Sequence, residues 1–331
     1  MQTSVFQAVK EELSCGRIKQ EEIFIMSCDV GPSVKTDLVR SLIGEFNSED
    51  KNGGYLALPM AENLEFGISE GLINEGFFPI IGIYEAFLKI CLEEISSICR
   101  SIDKNRSGML IVATHSGFTC RDGRGIQSVD VPLIFNHHPI VNYWEPVSLD
   151  DAAAITRFVL RDRTGVNIIR CPRGEYCIQS GYVLQNMDEG YEWVNQIPSA
   201  SHKNTNDNVY NILVFCNNVL ISELEETRKI LESDGLLMGL IAVRSSRRLL
   251  KYGESLLPVL LRTKLIVICH DSWAGGIRQS IEGLLLKTQE NRPKLLIIEP
   301  SSYGRGGTFS ELIEHNGLDH RSIVKSIRKE L

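Results

Sequence analysis

Short apolar runs alternate with longer stretches of helical spacing along most of the chain. In the first half, residues 62–75, 85–102 and 149–161 have the helical spacing. The apolar runs that predict strands there are EEIFIMSCD, GGYLALPM, FPIIGIY, MLIVATHSG, HPIVNYWEP and VNIIRCP. Such alternation is typical of parallel sheets that are covered by helices.

The alternation stops in residues 185–208, which are polar and rich in Ser, Asn and Asp, and then it resumes. The later apolar runs are VYNILVFCN, LMGLIAVRS, KLIVICHDS and KLLIIEP. A chain of 331 residues is also too long for one typical core. We therefore predict an α/β protein of two doubly wound domains with mainly parallel sheets, at 1–184 and 209–331, joined by a linker at 185–208.

Two strand-to-helix turns about twenty residues apart carry the most informative side chains. Glu62 follows the strand-like run YLALPM, and Tyr84 and Phe87 follow FPIIGI. Parallel α/β sheets bind ligands at the carboxyl ends of their strands. A carboxylate and two rings at that edge can hold a flat nitrogen heterocycle by hydrogen bonding and stacking.

Composition excludes several classes of function. The net charge is −7, with 43% hydrophobic and 23% charged residues, so there is no broad basic field for nucleic acid or a membrane surface. The nine cysteines form no CxxC pair, which argues against a disulfide framework or a zinc site. No run of about 18 apolar residues occurs. We expect a cytoplasmic protein that binds no membrane.

Several motifs resemble one enzyme family, and they occur in that family's order. They are AEN before a helix, PIIGIYEAFL, ATHSGFTCRDG, IIRCPRG, GYVLQ and GRGGTFSELIEHNGL. Residues 1 to about 180 resemble the pyrimidine-binding domain of transketolase and of 1-deoxyxylulose-5-phosphate synthase. Residues 209–331 resemble the carboxyl-terminal domain that these enzymes share.

The motif that binds the cofactor's diphosphate in this family is missing. That motif is a GDG segment followed by an asparagine, whereas the DG pairs at 122–123 and 234–235 follow Arg121 and Ser233. The resemblance therefore implies one subunit of a split transketolase. The partner would be an amino-terminal-half subunit that holds the diphosphate of thiamine diphosphate and Mg²⁺, in an α2β2 heterotetramer. No metal ligands are expected in this chain.

The resemblance assigns the cofactor's pyrimidine ring to the opening turns. Glu62 matches the glutamate that hydrogen-bonds the ring nitrogen and so activates the cofactor. Tyr84 and Phe87 match positions that face the ring, where aromatic contacts fix orientation. The alternatives are that Glu62 only interacts with a helix dipole and that both rings are ordinary core residues.

The segment ATHSGFTCRDGRGIQ supplies the next candidates. His115 and Asp122 match residues that hydrogen-bond the hydroxyls of a ketose donor, and His115 can also move protons near neutral pH. The alternative is a simple turn built on an Asp-Gly pair. The family carries a histidine where this chain has Ile126, which cannot donate a hydrogen bond and so leaves the acceptor open.

Phosphate recognition is assigned by the same resemblance. Arg173 matches an arginine that grips the sugar phosphate, and the guanidinium fork suits a phosphate. Ser33 matches a serine at the same end of the site, and Asp29 matches a position near the cofactor. The alternative for Arg173 is an ordinary surface arginine after a strand.

Two further groups are predicted to be structural. His137 and His138 are adjacent on an extended segment and point apart, so they predict a loop and not a metal site. Arg244, Arg247 and Arg248 form a basic cluster that is most simply interpreted as a solvated face.

The resemblance implies a transferase that moves a two-carbon ketol unit from a ketose phosphate to an aldehyde, and that acts only with its partner. Two alternatives stay open at this point. One is the beta subunit of a 2-oxo-acid dehydrogenase, which has the same two domains and needs no arginine for phosphate. The other is a non-catalytic partner that only completes an interface.

Overall fold

Two mainly parallel sheets organise the chain. The computed structural model describes residues 1–46, 52–102, 108–118, 123, 125–136, 138–173, 188–195, 210–288, 292–301 and 306–331. The first sheet contains β1 (Ile23–Cys28), β2 (Gly54–Leu58), β3 (Phe78–Tyr84), β4 (Gly108–Ser116), β5 (Val141–Trp144) and β6 (Gly165–Pro172). The second contains β7 (Tyr191–Asn195), β8 (Ile212–Cys216), β9 (Met238–Val243), β10 (Leu265–Cys269) and β11 (Lys294–Ile298).

The strand order defines two doubly wound arrangements. The first sheet runs β2-β1-β3-β4-β6-β5 with every pair parallel. The second runs β11-β10-β8-β9-β7, in which only the pairing of the edge strand β7 with β9 is antiparallel. The predicted fold class is confirmed, because buried parallel strands are continuously apolar and give a strong signal in the sequence.

Helices cover both faces of each sheet. In the first half they are α1 (Gln2–Ser14), α2 (Gly31–Val34), α3 (Asp37–Ile43), α4 (Glu62–Asn74), α5 (Leu92–Ser101), α6 (Val131–Phe135) and α7 (Leu149–Asp162). In the second half they are α8 (Ile221–Ser233), α9 (Ser246–Tyr252), α10 (Leu257–Arg262), α11 (Gly275–Leu285), α12 (Phe309–His315) and α13 (His320–Glu330). None of the helices in the described ranges combines the length and the apolar character that a bilayer-spanning helix needs.

The first sheet is held between two apolar cores. Phe6 of α1 and Ile155 of α7 pack on one face, and Phe66 of α4 and Ile95 of α5 pack on the other. Burial on both faces leaves only the two ends of the strands open to a ligand. The carboxyl end is the one from which α4 departs.

Strand β7 lies inside the segment that was predicted as a linker. Tyr191 is buried and Trp193 packs against the core of the second sheet. The strand is short and its neighbours in sequence are polar, so its alternation of ring and polar residues was too brief to be recognised. The boundaries of the domains themselves stay a prediction.

The basic cluster near residue 244 is not a uniformly solvated face. Arg244 is fully buried and forms an ion pair with Asp151 at 2.7 Å and another with Glu192 at 3.1 Å. The prediction is therefore wrong for Arg244. Its partners lie far away in sequence, which is why its spacing did not reveal them.

Candidate active site

The carboxyl edge of the first sheet gathers most of the predicted site residues. Strands β2, β1, β3, β4 and β6 end there in spatial order. The residues that follow or end these strands are, in the same order, Glu62, Ser33, Tyr84, His115 and Arg173. Residues far apart in sequence therefore line one edge, as expected for a ligand site in a parallel sheet.

Glu62 is the first residue of α4. Its side chain is half-buried, and within the described part of the chain it makes no hydrogen bond and no ion pair. The positive end of the helix dipole favours a carboxylate at this position. The side chain is thus left available to a ligand.

An aromatic cluster lies along the same edge. The Tyr84 ring lies 4.0 Å from the His115 ring and 5.7 Å from the Phe87 ring, measured between centroids. The Tyr84 hydroxyl and the Ser33 hydroxyl are 2.9 Å apart and share a hydrogen bond. Four of the predicted residues therefore form one contact group.

His115 adopts an unusual backbone conformation. Its φ is 56°, and the register of β4 with β6 shifts between Thr114 and Ser116. A positive φ is uncommon for any residue other than glycine, and such conformations are concentrated at functional sites. Here it accompanies the contact between the imidazole and Tyr84.

The tautomer of His115 follows from its neighbour. The Thr114 hydroxyl donates to the Ile83 carbonyl at 3.2 Å, so it can only accept from His115 Nδ1 at 3.0 Å. The neutral ring then carries its proton on Nδ1. The other nitrogen, Nε2, is the basic one.

Glu85 lies between Tyr84 and Phe87 in the sequence. Its side chain is fully buried, which the sequence did not indicate. It accepts hydrogen bonds from the Tyr143 hydroxyl at 2.5 Å, the Gly117 amide at 3.1 Å and the Ser128 hydroxyl. Burial raises its pKa, while the Arg170 charge and these donors oppose the rise. The bonds fix the 3-10 turn Glu85–Lys89, which carries Phe87.

Arg170 connects this site to the second half of the chain. Its guanidinium, also fully buried, lies 3.3 Å from Glu85, 3.2 Å from Glu145 and 2.9 Å from Asp271. It also donates to the Ser272 hydroxyl at 2.7 Å. One guanidinium therefore contacts three buried carboxyl groups that come from three separate parts of the chain.

Two further contacts complete this buried cluster. Burial on its own would lower the pKa of His270, but the Glu145 carboxylate at 3.0 Å raises it above its usual value. A Cβ on Gly117 would lie 2.2 Å from Asp271 Oδ2 and 2.5 Å from an Arg170 nitrogen. Only glycine fits there, so the segment after His115 rests directly on the second half of the chain.

Glu65 is a second carboxyl group one turn beyond Glu62. It is fully buried, and neither oxygen has a hydrogen-bond partner of normal geometry among the described residues. Burial raises its pKa to about 8, the nearby Cys28 thiol moderates the rise, and the Glu62 charge adds to it. The sequence contained an indication of this burial, because Glu65 lies at a helical spacing of four residues from Ser69 and eight from Ile73, on the buried face of α4.

We expect Glu65→Gln to flatten the dependence of stability on pH. The folded chain keeps the Glu65 proton up to about pH 8, whereas an unfolded glutamate loses it near pH 4.3. The contribution of protonated Glu65 to the free energy of unfolding is therefore complete at low pH. It is lost as pH rises through the pKa of the folded state. Relative to wild type, the variant should gain on the order of 4 kcal/mol between pH 5 and pH 9 in urea unfolding.

Glu75→Gln is the matched control, because Glu75 is exposed just beyond the same helix. Its stability should stay parallel to that of wild type across the pH range. A Glu65→Gln curve that is also parallel to wild type would show that Glu65 ionises normally.

An exposed apolar patch lies where α4 and α5 begin. It consists of Met60, Leu64, Ile90 and Leu92, of which Met60 is 72% exposed and Ile90 58%. Asn63 joins its two halves by donating to the Ile90 carbonyl at 3.1 Å. Exposed apolar side chains that are grouped in this way are a common feature of interaction sites.

The remaining predicted residues are less informative. Arg173 is exposed at the end of β6, Asp29 is exposed at the end of β1 with a φ of 52°, and Ile126 is half-buried. Asp122 and His137 lie outside the described residues. No group of three or more His, Cys, Asp or Glu side chains with metal-binding geometry occurs in the ranges that the structure covers.

Comparison with known proteins identifies the fold. No protein-family model and no curated protein matches the sequence. A split-gene transketolase, described as an inactive β4 tetramer, matches with a TM-score of 0.74 and 16% identity over 99% of this chain and 96% of that one. Transketolases from Leishmania mexicana (TM-score 0.76, 17% identity) and Campylobacter jejuni subsp. jejuni (0.74, 15%) match over 93% of this chain.

The extent of the matches shows which part of a transketolase this fold represents. The chain spans 42% of the Leishmania protein and 44% of the Campylobacter protein, but nearly all of the split-gene chain. It therefore has the fold of the carboxyl-terminal half of a transketolase, as the motifs predicted. At these identities the likeness establishes the fold only.

Proposed function

We propose that the chain is one subunit of a thiamine-diphosphate enzyme of transketolase type, which transfers a two-carbon ketol unit from a ketose phosphate to an aldehyde. The observation that carries the proposal is the half-buried Glu62 carboxylate, which has no hydrogen bond or ion pair among the described residues, at the same sheet edge as Tyr84, Phe87 and His115. The transketolase fold supports it, because that fold brings the same strand ends together.

The residues at this edge fit the aminopyrimidine of the cofactor. A flat ring with several nitrogens needs a carboxyl group for a ring nitrogen and an apolar surface to stack on. Glu62 supplies the first, and Phe87, half-buried at the edge, supplies the second. When bound, thiamine diphosphate supplies the nucleophilic carbon that this class of carbon–carbon bond cleavage requires.

The chain's own residues then have distinct tasks. Glu62 hydrogen-bonds the ring nitrogen, and the neighbouring Glu65, neutral up to about pH 8, adds no second negative charge at neutral pH. His115 Nε2, the basic nitrogen of the neutral ring, accepts a proton from a donor hydroxyl. Ser33, through its bond to Tyr84, holds that ring in place, while Arg173 and Asp122 bind the phosphate and hydroxyls of the substrate.

A partner subunit completes the site in this proposal. The sequence lacks the diphosphate motif, and the apolar patch of Met60, Leu64, Ile90 and Leu92 lies beside Glu62. We assign that patch to an amino-terminal-half subunit that carries the diphosphate and Mg²⁺, in an α2β2 assembly. The split-gene transketolase of similar fold is described as an inactive β4 tetramer, which supports this division.

Reconstitution tests the proposal. The chain is mixed with an amino-terminal-half transketolase subunit from the same organism, thiamine diphosphate and Mg²⁺, and is then assayed with ketose phosphates and, separately, with 2-oxo acids. We expect ketol transfer from a ketose phosphate only when both chains are present. Turnover of 2-oxo acids alone would identify a dehydrogenase subunit, and no turnover with either donor would favour a non-catalytic partner.

A further inference from the structure

A polar cleft lies at the opposite edge of the first sheet. It has a volume of about 300 Å³, and its lining includes Asn142, Asp162, Thr164, Gly165, Arg247 and Arg248. A smaller space of about 80 Å³ adjoins it and adds Lys251 and Tyr252. We call these two spaces together the Arg247 cleft. Its walls come from β5, β6 and α7 on one side and from α9 on the other.

The cleft is remote from the candidate active site. Gly165 pairs with Gly108 at the start of β4, whereas His115 lies near the end of that strand. At about 3.3 Å per residue, the separation along the strand is about 23 Å. The Arg247 cleft is therefore a separate feature and does not depend on the function proposed above.

Arg247 carries a charge that the described residues do not neutralise. It is half-buried, and its one hydrogen bond within those residues goes to the Val141 carbonyl at 3.3 Å, with no carboxylate in an ion pair. Burial lowers its pKa, and the adjacent Arg248 lowers it further. A partly desolvated cation beside another cation is unfavourable unless an anion joins them.

The neighbouring cations are held in place around it. The Arg248 guanidinium lies 4.7 Å above the Trp144 ring and 5.3 Å from the Phe158 ring, and it pairs with Asp188 at 3.0 Å. The Lys251 ammonium lies 4.7 Å above the Tyr252 ring. The cations are thus prearranged, which reduces the ordering entropy that binding would lose.

One acidic group also lines the cleft. Asp162 accepts a hydrogen bond from the Thr164 hydroxyl at 2.5 Å and forms no ion pair with Arg247 within the described ranges. A carboxylate and an amide such as Asn142 suit the hydroxyl groups of a ligand, while the guanidinium suits its anionic end. The lining therefore favours a small molecule with both kinds of group.

We infer that the Arg247 cleft binds a small phosphate monoester, whose phosphate contacts Arg247 and Lys251 and whose hydroxyls face Asp162 and Asn142. The planar guanidinium fork matches phosphate oxygens, and two cations match a dianion. The volume is at the lower end of the range for small-molecule sites. Because the walls come from both halves of the chain, a bound ligand would also stabilise their contact.

Calorimetric titration of the full chain with inorganic phosphate and with glycerol 1-phosphate tests this inference. Arg173→Gln serves as the background, so that phosphate binding at the candidate active site does not contribute. We expect saturable binding in Arg173→Gln, weakened about tenfold or more when Arg247→Gln is added, because a charge-assisted pair of hydrogen bonds is lost. Glycerol 1-phosphate should bind more tightly than phosphate alone.

Two further variants make the result specific. Arg278→Gln removes an exposed arginine of α11 and should leave binding unchanged when it is added to the same background. Arg247→Lys keeps the charge without the fork and should give intermediate affinity, which also covers the case in which Arg247→Gln is poorly folded. Absence of saturable binding in Arg173→Gln, or equal affinity with and without Arg247, overturns the inference.

Discussion

Glu62→Gln should reduce the turnover of the reconstituted enzyme by about 100-fold to 10,000-fold, the range that proton-transfer groups contribute. Glutamine keeps the size of the side chain but cannot share a proton with a ring nitrogen in the way that a carboxyl group does. Since Glu62 makes no hydrogen bond within the described residues, the substitution should leave the fold intact. The measurement is kcat with a ketose phosphate donor, together with the mass of the assembly in solution.

The matched control is Glu93→Gln, at an exposed glutamate of α5 that pairs only with Arg100 in the described part of the chain. It should retain turnover close to that of wild type. If Glu62→Gln assembles with its partner and also retains full turnover, Glu62 has no role in activating the cofactor. Loss of assembly in Glu62→Gln would instead assign the residue to the interface with the partner.

Arg170→Met should lower the free energy of unfolding by about 3–5 kcal/mol, which is typical when one partner of a buried ion pair is removed. Methionine fills similar space but leaves the carboxylates of Glu85, Glu145 and Asp271 without their shared cation. Urea unfolding of the isolated chain measures the effect. The loss should be smaller at acid pH, where protonation removes the uncompensated charges.

Arg278→Met is the control, because Arg278 forms an exposed ion pair with Glu282 on α11. Exposed pairs contribute only about 0–1 kcal/mol, so this variant should unfold close to wild type. An equal decrease in the free energy of unfolding in the two variants would mean that the Arg170 cluster stabilises the fold no more than an exposed ion pair does. Adding Asp271→Asn to Arg170→Met should recover part of the lost stability, since it removes one of the unbalanced charges.

The sequence was sufficient for the features that depend on local pattern. Strand β3 occupies Phe78–Tyr84, as its apolar run predicted, because a strand buried on both faces leaves a continuous signal. Because the carboxyl ends of parallel strands meet at one edge of a sheet, the strand pattern also placed Glu62, Tyr84 and His115 at that edge. The roles of these residues, and of Asp122 outside the described ranges, stay predictions.

The features that escaped prediction depend on partners far away in sequence. Arg170 lies within an apolar strand, and its partners Asp271 and Ser272 are about a hundred residues further along the chain. Arg244 was interpreted as solvated for the same reason, because Asp151 comes from the other half. No spacing rule reaches across such distances, so only the folded chain reveals which charges meet.

The close approach of Gly117 to Asp271 and Arg170 restricts how this protein can diverge. A larger residue at position 117 collides with the carboxylate, and loss of the arginine leaves that carboxylate unbalanced. Substitutions at the three positions should therefore be inherited together among related chains. A homologue that has lost one of them should show compensating replacements at the other two, even where the rest of the sequence has drifted freely.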